Sequence, residues 1–166
     1  MGRTVTVIKK VTINKDINSA WVVLGKQFAE VHIWSSTFSH SKPAGDAEFP
    51  GLSFSRRITV TNRGETIHII DMYDPESHSI AYHITKGIPS IAKTAIGLWS
   101  LEKIGPNQTT AIFEFQLDPR GILGSLLKPV IRKKLSVVAD HLCEEFKFYL
   151  ENGIPHHRKS EFKGFR

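Results

Sequence analysis

The C-terminal part of the chain constrains the fold most, because it predicts one long amphipathic helix over about residues 122–151. At ~1.5 Å per residue this helix is a rod of roughly 40 Å, which is long for a single small domain. Pro129 is expected in its first turn or at a kink, and Gly153 is expected to end it. The apolar side chains of the helix form one stripe, and a large apolar surface is needed to cover it. These side chains recur at three- and four-residue steps, at Leu127, Ile131, Leu135, Val138, Leu142, Phe146 and Tyr149.

Seven predicted strands can supply that surface. Residues 3–13 alternate between apolar and polar side chains and form the first strand. Two short helices follow, in "SAWVVL" and "FAEVHIW". Turn signals then separate six further strands, and such short connections make the sheet mainly antiparallel. The predicted fold class is α+β in the order β-α-α-β6-α, a curved antiparallel sheet wrapped around the long helix, with the six later strands at 36–42, 51–61, 65–73, 78–86, 93–104 and 109–117.

The length of 166 residues corresponds to one domain that is large enough to bury a core. We expect residues 1–153 to form this domain and residues 154–166 to form a basic, flexible tail. No apolar run approaches the length that crosses a bilayer, and the N-terminus lacks the apolar stretch of a secretory signal. Cys143 is the only cysteine, which suits a reducing compartment. These features predict a cytoplasmic protein.

The formal net charge of +6 is unevenly distributed. Residues 120–134 contain basic side chains and no acidic one, and the tail is also net basic. A solvated face is the simplest interpretation of this pattern, and weak contact with an anionic membrane is the alternative. Nucleic acid is not expected as a partner, and the oligomeric state stays open.

Four segments, in a fixed order, carry a family resemblance. They are "SAWVVLGKQFAEVHIWSS" with Trp21 and Trp34, "GLSFSRRITV", "IHIIDMYDPESHSIAYHI", and "AIFEFQLDP" with Phe113 where the family usually has Trp. Together, over roughly residues 3–151, they resemble the polyketide cyclase/dehydrase branch of the SRPBCC (START-like) superfamily. The resemblance implies a helix-grip fold, in which the sheet and the long helix enclose an apolar cavity that holds a small molecule.

An arginine in "GLSFSRRITV" is the first candidate site residue. Read as a strand, this segment places Arg56 on the same face as Leu52, Phe54, Ile58 and Val60. An isolated buried charge costs several kcal/mol, so Arg56 would need a partner there. The partner is an internal carboxylate, an anionic ligand or water at the cavity mouth. The alternative is a strand end or a bulge that turns Arg56 outward.

A histidine is the second candidate, since the resemblance places His68 where the family keeps an acidic residue. His68 is then a general base near neutral pH, a neutral group that orients a ligand, or a core histidine bonded to a carbonyl. The eight histidines show no metal-binding spacing, so neither a metal nor another cofactor is expected. The ligand-binding positions implied by the resemblance are Trp34, Arg56, Ile58, His68, Ile70, Tyr82, Ile84, Phe113, Phe115, Val138 and Leu142.

Three functions are consistent with this pattern. The leading hypothesis is a binding protein that takes a hydrophobic or amphipathic molecule, such as a lipid, isoprenoid, polyketide or aromatic metabolite, into the cavity. The second is an enzyme of cyclase, dehydrase or hydrolase type, in which Arg56 stabilises an enolate and His68 moves the proton. The third is lipid delivery at anionic membranes through the basic helix and tail. Whether the chain is an enzyme is left open.

Overall fold

The structure, a computed structural model, describes residues 4–161. Seven strands form one antiparallel sheet in the spatial order β1-β7-β6-β5-β4-β3-β2. The predicted α+β architecture and its order along the chain are confirmed. The strands are β1 (Val5–Ile13), β2 (His40–Ala44), β3 (Arg56–Thr61), β4 (Gly64–Asp74), β5 (Ser79–Lys86), β6 (Ala92–Gly105) and β7 (Gln108–Pro119).

Helical segments follow the first strand and the last one. Between β1 and β2 the chain forms α1 (Ile17–Trp21), a π-helical turn (Val22–Lys26) and a 3-10 helix (Phe28–Ile33). After β7 it forms α2 (Gly121–Leu126), α3 (Lys128–Asn152) and α4 (His157–Glu161). The predicted short helices after the first strand are therefore present, although only the first turn is α-helical.

The predicted long helix is divided at Leu127 into α2 and α3. Pro129 lies in the first turn of α3, where its missing N–H costs no hydrogen bond. Gly153 ends α3 in the left-handed conformation, with φ 73°, as the sequence predicts. The helix packs mainly on β1 and β7. Its buried side chains are Ile131, Ala139, Leu142, Cys143, Glu145, Phe146 and Leu150.

The strand predicted in "GLSFSRRITV" begins later than expected, at Arg56. Phe54 and Ser55 are both buried, so the alternation of faces shifts by one residue before regular pairing begins. Arg57 is consequently buried, with 0% of its surface exposed. Arg56 is exposed, and Ile58 faces the same outer side of the sheet. The prediction that Arg56 and Ile58 face the interior is therefore wrong.

The hairpin between β3 and β4 fixes this register. A two-residue turn joins Thr61 to Gly64, and these residues pair directly across the turn. Counting back from that pair places Arg57 opposite His68. Residues that pair directly project their side chains to the same face of a sheet, so Arg57 and His68 both face the interior.

A buried carboxylate explains why β2 also begins later than predicted. Ser36, which the sequence assigns to this strand, donates its backbone N–H (3.0 Å) and its hydroxyl (2.5 Å) to Glu145 of α3. Glu145 is fully buried. Arg158 of α4 forms ion pairs with Glu145 at 3.5 Å and with the exposed Glu144 at 2.7 Å. These contacts hold the segment after the 3-10 helix, and the start of α4, against α3.

The division into a domain (residues 1–153) and a flexible tail (154–166) stays a prediction. Residues 1–3 and 162–166 lie outside the described residues. Within the described part of the tail, α4 touches the domain through Arg158. Lys159 adds hydrogen bonds from its ammonium group to the backbone carbonyl oxygens of Ser35 (3.2 Å) and Phe38 (2.5 Å).

A glycine in β6 makes room for a buried tyrosine. Gly97 lies directly opposite Tyr82 of β5, and a Cβ atom at Gly97 would overlap the Tyr82 ring. This ring is stacked on the His68 ring, with 4.9 Å between centroids and 2° between planes. Tyr82 therefore cannot turn aside without disturbing the polar side chains around it.

Replacing Gly97 with alanine is expected to lower the free energy of unfolding by about 2 kcal/mol, because the added methyl group overpacks the site. Gly105→Ala is the matched control in the same strand, since its added Cβ would make only an ordinary contact, at 3.6 Å from Cβ of Gln108. Urea denaturation measures both variants. Equal stabilities for Gly97→Ala and Gly105→Ala would contradict the close packing of Tyr82 on Gly97.

Candidate functional site

A buried arginine is the centre of the candidate site. Arg57 extends from the inner face of β3 into a group of aromatic rings. Its guanidinium carbon lies 3.7 Å from the centroid of the Phe28 ring and 5.1 Å from that of Trp99. The rings of Phe38 and Tyr82 are each 5.4 Å away. Aromatic faces attract a cation, so these rings partly replace the water that Arg57 loses on burial.

The polar partners of Arg57 are all uncharged. Its Nη1 donates to the carbonyl oxygen of Phe28 at 2.9 Å. Its Nε and Nη2 approach Nδ1 of His68 at 3.2 and 2.7 Å. Within residues 4–161, Arg57 forms no ion pair with a carboxylate. The guanidinium is therefore buried without a counter-charge from the part of the chain that the structure describes.

The protonation state of His68 follows from these contacts. Because Nδ1 faces two donors, it acts as the acceptor, and the ring proton is assigned to Nε2. Nε2 lies 3.1 Å from the Thr66 hydroxyl, which in turn contacts the Thr59 hydroxyl. Burial and the neighbouring Arg57 hold the pKa of His68 well below its usual range. His68 is accordingly neutral at physiological pH.

Burial shifts two more groups of the site. It lowers the pKa of Arg57 to about 10, which still leaves the guanidinium charged at neutral pH. It raises the pKa of Tyr82 to about 12, although Arg57 acts in the opposite direction. The site at pH 7 thus contains one positive charge beside a neutral imidazole and a neutral phenol.

Both ring nitrogens of His68 form hydrogen bonds, and this bears on the prediction that it is a general base. A general base needs a lone pair directed at the substrate proton. The lone pair of Nδ1 points at Arg57, and Nε2 carries the proton that faces Thr66. The arrangement is suited to orienting the guanidinium of Arg57 rather than to removing a proton from a ligand.

Strands β5 and β6 separate next to the polar group formed by Arg57, His68 and Tyr82. Strands β5 and β6 pair only from Ser79–Ser100 to His83–Ile96, although both strands continue further. Beyond that point β5 stays paired with β4, and β6 stays paired with β7. Ile84, which lies opposite His68, is the first inward-facing residue of β5 past the separation.

Apolar side chains that face inward near this separation keep some solvent-accessible surface. The buried core is also divided, since Val5, Ala92, Leu117 and Ile131 form a second cluster apart from the main one. Between the two clusters, the inward-facing side chains of the sheet and of α3 are therefore only partly buried. The partly exposed inward residues are Ile84, Ala95 and Phe115 of the sheet and Leu135 and Val138 of α3.

The structure divides the predicted ligand-binding residues into two groups. Arg56 and Ile58 lie on the outer face, whereas the other strand residues face inward. Trp34 is only 2% exposed and packs against Trp99 and Phe146 in the main cluster. A ligand-binding role stays a prediction for Trp34, His68, Ile70, Tyr82, Ile84, Phe113, Phe115, Val138 and Leu142.

Several residues of the site were missed by the sequence-based prediction. Arg57, Thr59 and Thr66 continue the inner face around His68, and Phe28 and Trp99 supply the nearest rings. The hairpin turn before Gly64 could have identified the first three, because it fixes which residues lie opposite each other. Nothing in the local pattern indicates that Phe28, far away in sequence, stacks on Arg57.

Three further properties of residues 4–161 bear on metal binding, membrane crossing and a cysteine nucleophile. The part of the chain that the structure describes contains no group of three or more His, Cys, Asp or Glu side chains placed to hold a metal. None of the helices described is both long and apolar enough to cross a membrane. Burial raises the pKa of the Cys143 thiol to about 12, so this cysteine is a poor nucleophile.

Comparison with known proteins gives likeness in structure only. No family model matches the sequence, and no curated protein matches it. A START superfamily protein from Mycobacterium smegmatis superposes with a TM-score of 0.72 at 14% identity, covering 88% of this chain and 97% of that one. The Zhui aromatase/cyclase from Streptomyces sp. R1128 gives 0.65 at 14% identity, covering 90% and 98%. Truncated norcoclaurine synthase from Thalictrum flavum gives 0.68 at 9% identity, covering 90% and 94%.

The buried neutral His68 predicts a pH dependence of stability. Its pKa is lowered in the folded state, so below about pH 6.5 the unfolded chain takes up a proton that folded His68 does not. The free energy of unfolding should therefore fall on acidification by up to about 1.4 kcal/mol per pH unit from this group. His68→Gln is expected to flatten the slope by that amount, as measured by urea denaturation from neutral to mildly acidic pH. Exposed His40→Gln is the control, and equal slopes for His68→Gln and the unmodified chain would contradict the assignment.

Proposed function

We propose that this chain, which has the helix-grip fold of the START (SRPBCC) superfamily, binds an amphipathic small molecule with an anionic head group between α3 and the inner face of its sheet. The observation that carries the proposal is Arg57, a fully buried guanidinium with no carboxylate partner in the described chain. A carboxylate, phenolate or enolate of the ligand would supply the missing counter-charge.

The energetics of burial support an anionic head group. Removing a charge from water costs several kcal/mol unless it is paired and hydrogen-bonded. His68 and the Phe28 carbonyl satisfy part of the hydrogen-bonding capacity of Arg57, but neither neutralises its charge. Arg57 has five N–H donors in a planar fork, which matches the geometry of a carboxylate. An anion that reaches this fork therefore gains a charge-assisted hydrogen bond at an already desolvated site.

The divided core supports an apolar body for the ligand. Ile84, Phe115 and Val138 face inward but keep accessible surface, and Leu135 does so from the second cluster. Covering such a surface with hydrocarbon removes it from water and contributes roughly 25 cal/mol of binding free energy per Å² of apolar surface buried. Because Ile84 lies opposite His68, the apolar lining and the polar group are neighbours. An amphipathic molecule can satisfy both at once.

Catalysis is supported less well than binding. One structural neighbour is an aromatase/cyclase and another is a norcoclaurine synthase, so small-molecule chemistry occurs on this fold. In this chain, however, neither ring nitrogen of His68 is free to accept a substrate proton. A cytoplasmic location is part of the proposal, supported by the single unpaired cysteine. Lipid delivery at an anionic membrane is the second candidate function, favoured by the basic segment 120–134.

The test uses two neighbouring arginines as a matched pair. Laurate and dodecanol share a chain but differ in head-group charge, and calorimetry measures their dissociation constants. The unmodified chain should prefer laurate by about tenfold or more, the equivalent of one charge-assisted hydrogen bond. Arg57→Met should remove this preference while dodecanol affinity is kept. Arg56→Met removes an exposed arginine and should leave the preference intact.

Two further measurements keep the result interpretable. Near-ultraviolet circular dichroism establishes that both arginine variants keep their packed aromatic core. Native mass spectrometry of the purified chain detects any ligand that is already bound. An equal loss of preference in both variants, or no preference in the unmodified chain, would contradict the role of Arg57.

A further inference from the structure

An exposed apolar surface lies at the start of the long helical segment. We define the α2 surface as Ile122, Leu123 and Leu126 of α2 together with Val130 in the first turn of α3. These side chains are 83, 64, 73 and 48% exposed, respectively. Half of α2 thus consists of large apolar side chains that the domain leaves uncovered. A concentration of this kind marks an interaction site more often than scattered surface leucines do.

The surroundings of the α2 surface are basic. The segment from Arg120 to Lys134 contains no acidic residue, so no side chain within it offsets its positive charge. Lys133 and Lys134 are exposed, and Arg132 is also exposed although it donates to the Thr6 carbonyl oxygen at 2.9 Å. The basic residues of the segment are Arg120, Lys128, Arg132, Lys133 and Lys134.

This composition fits a membrane better than a protein partner. Lysine is depleted at protein–protein interfaces, whose cores are apolar and poor in charge. Exposed Leu and Ile beside a cluster of four or more Lys and Arg are typical of segments that lie on anionic lipid. There the apolar side chains enter the acyl boundary, and the cations stay among the anionic head groups.

The position of α2 links this surface to the divided core. The backbone N–H of Arg120 donates to the Ile91 carbonyl oxygen at 2.7 Å, which ties the start of α2 to the β5–β6 connection. Ile88 and Ile91 of that connection pack on the second apolar cluster, together with Leu127. The α2 surface is therefore at the end of the molecule where β5 and β6 separate.

We propose that the α2 surface docks the chain on an anionic membrane, with Ile122, Leu123 and Leu126 inserted at the level of the acyl boundary. The docked orientation turns the separation between β5 and β6 toward the lipid. This proposal rests on the second candidate function, lipid delivery at an anionic membrane. It is independent of the ligand site around Arg57, because it requires only the α2 surface and can be measured without any bound ligand.

The experiment measures binding of the full chain to vesicles by co-sedimentation. Vesicles of phosphatidylcholine alone are compared with vesicles that also contain phosphatidylglycerol. The unmodified chain should bind the anionic vesicles about tenfold or more tightly, and high salt should weaken that binding. The double variant Leu123→Ser/Leu126→Ser should lose most of the binding, and Lys133→Gln/Lys134→Gln should lose the preference for anionic lipid.

Matched controls lie at the far end of β6, next to the β6–β7 turn. Ile104→Ser removes a 51% exposed apolar side chain there, roughly 40 Å along the strand from the first residue of β6. Lys103→Gln removes an exposed cation beside it. Both controls should bind anionic vesicles as well as the unmodified chain does.

Three results would overturn the proposal. The first is binding that does not depend on phosphatidylglycerol, and the second is binding that Leu123→Ser/Leu126→Ser leaves unchanged. The third is a lipid-free dimer, seen by light scattering and abolished by the same double variant, which would assign the α2 surface to a second copy of the chain.

Discussion

The contact between Arg57 and His68 is the interaction on which the inner face of the sheet depends. Two guanidinium nitrogens converge on Nδ1 of His68, so the imidazole has to be neutral and its proton has to be on Nε2. That proton faces Thr66, which continues the polar chain to Thr59. The pair also depends on the register that the β3–β4 turn sets, because a slip of one residue between the two strands would exchange the buried and exposed faces. The buried polar contact and the strand register are thus consistent with each other.

A histidine opposite Arg57 has a different consequence from an acid at the same position. A carboxylate would pair with the guanidinium and leave the interior close to neutral. Histidine satisfies hydrogen bonds without neutralising the charge, and the rings of Phe28 and Trp99 add only the weaker attraction of their faces. No carboxylate in residues 4–161 therefore compensates the buried charge. This is the physical reason for proposing an anionic ligand at the site, since Arg57 is not part of a structural ion pair in the described residues.

The architecture could be predicted from the sequence because its signals are local: the helical stripe, Pro129, Gly153 and the short turns each act over a few residues. The face of β3 could not be predicted by counting forward from Gly51, since Phe54 and Ser55 are both buried and break the alternation. Counting back from the β3–β4 turn pairs residue 57 with residue 68, so the sequence could have identified Arg57 as the buried arginine. The aromatic rings around Arg57 could not be predicted in this way, because only tertiary packing brings Phe28 and Trp99 there. Tertiary packing likewise places Trp34, one of the ligand-binding positions implied by the resemblance, against Phe146 in the main cluster.

Three features follow one another from the polar group to the outside of the molecule. His68 neighbours Ile84, Ile84 marks the separation of β5 from β6, and the β5–β6 connection is bonded to the start of α2. Positive charge is present at both ends of this series, with Lys133 and Lys134 exposed in the first turns of α3 and Arg57 buried beside His68. A basic surface raises the local concentration of anions before they enter a site. An amphipathic anion arriving at α2 would therefore meet attraction first at the surface and again at Arg57, with apolar side chains in between to receive its chain. For the proposed ligand, this order of polarity favours entry with the head group first, so that the hydrocarbon chain would face the β5–β6 separation.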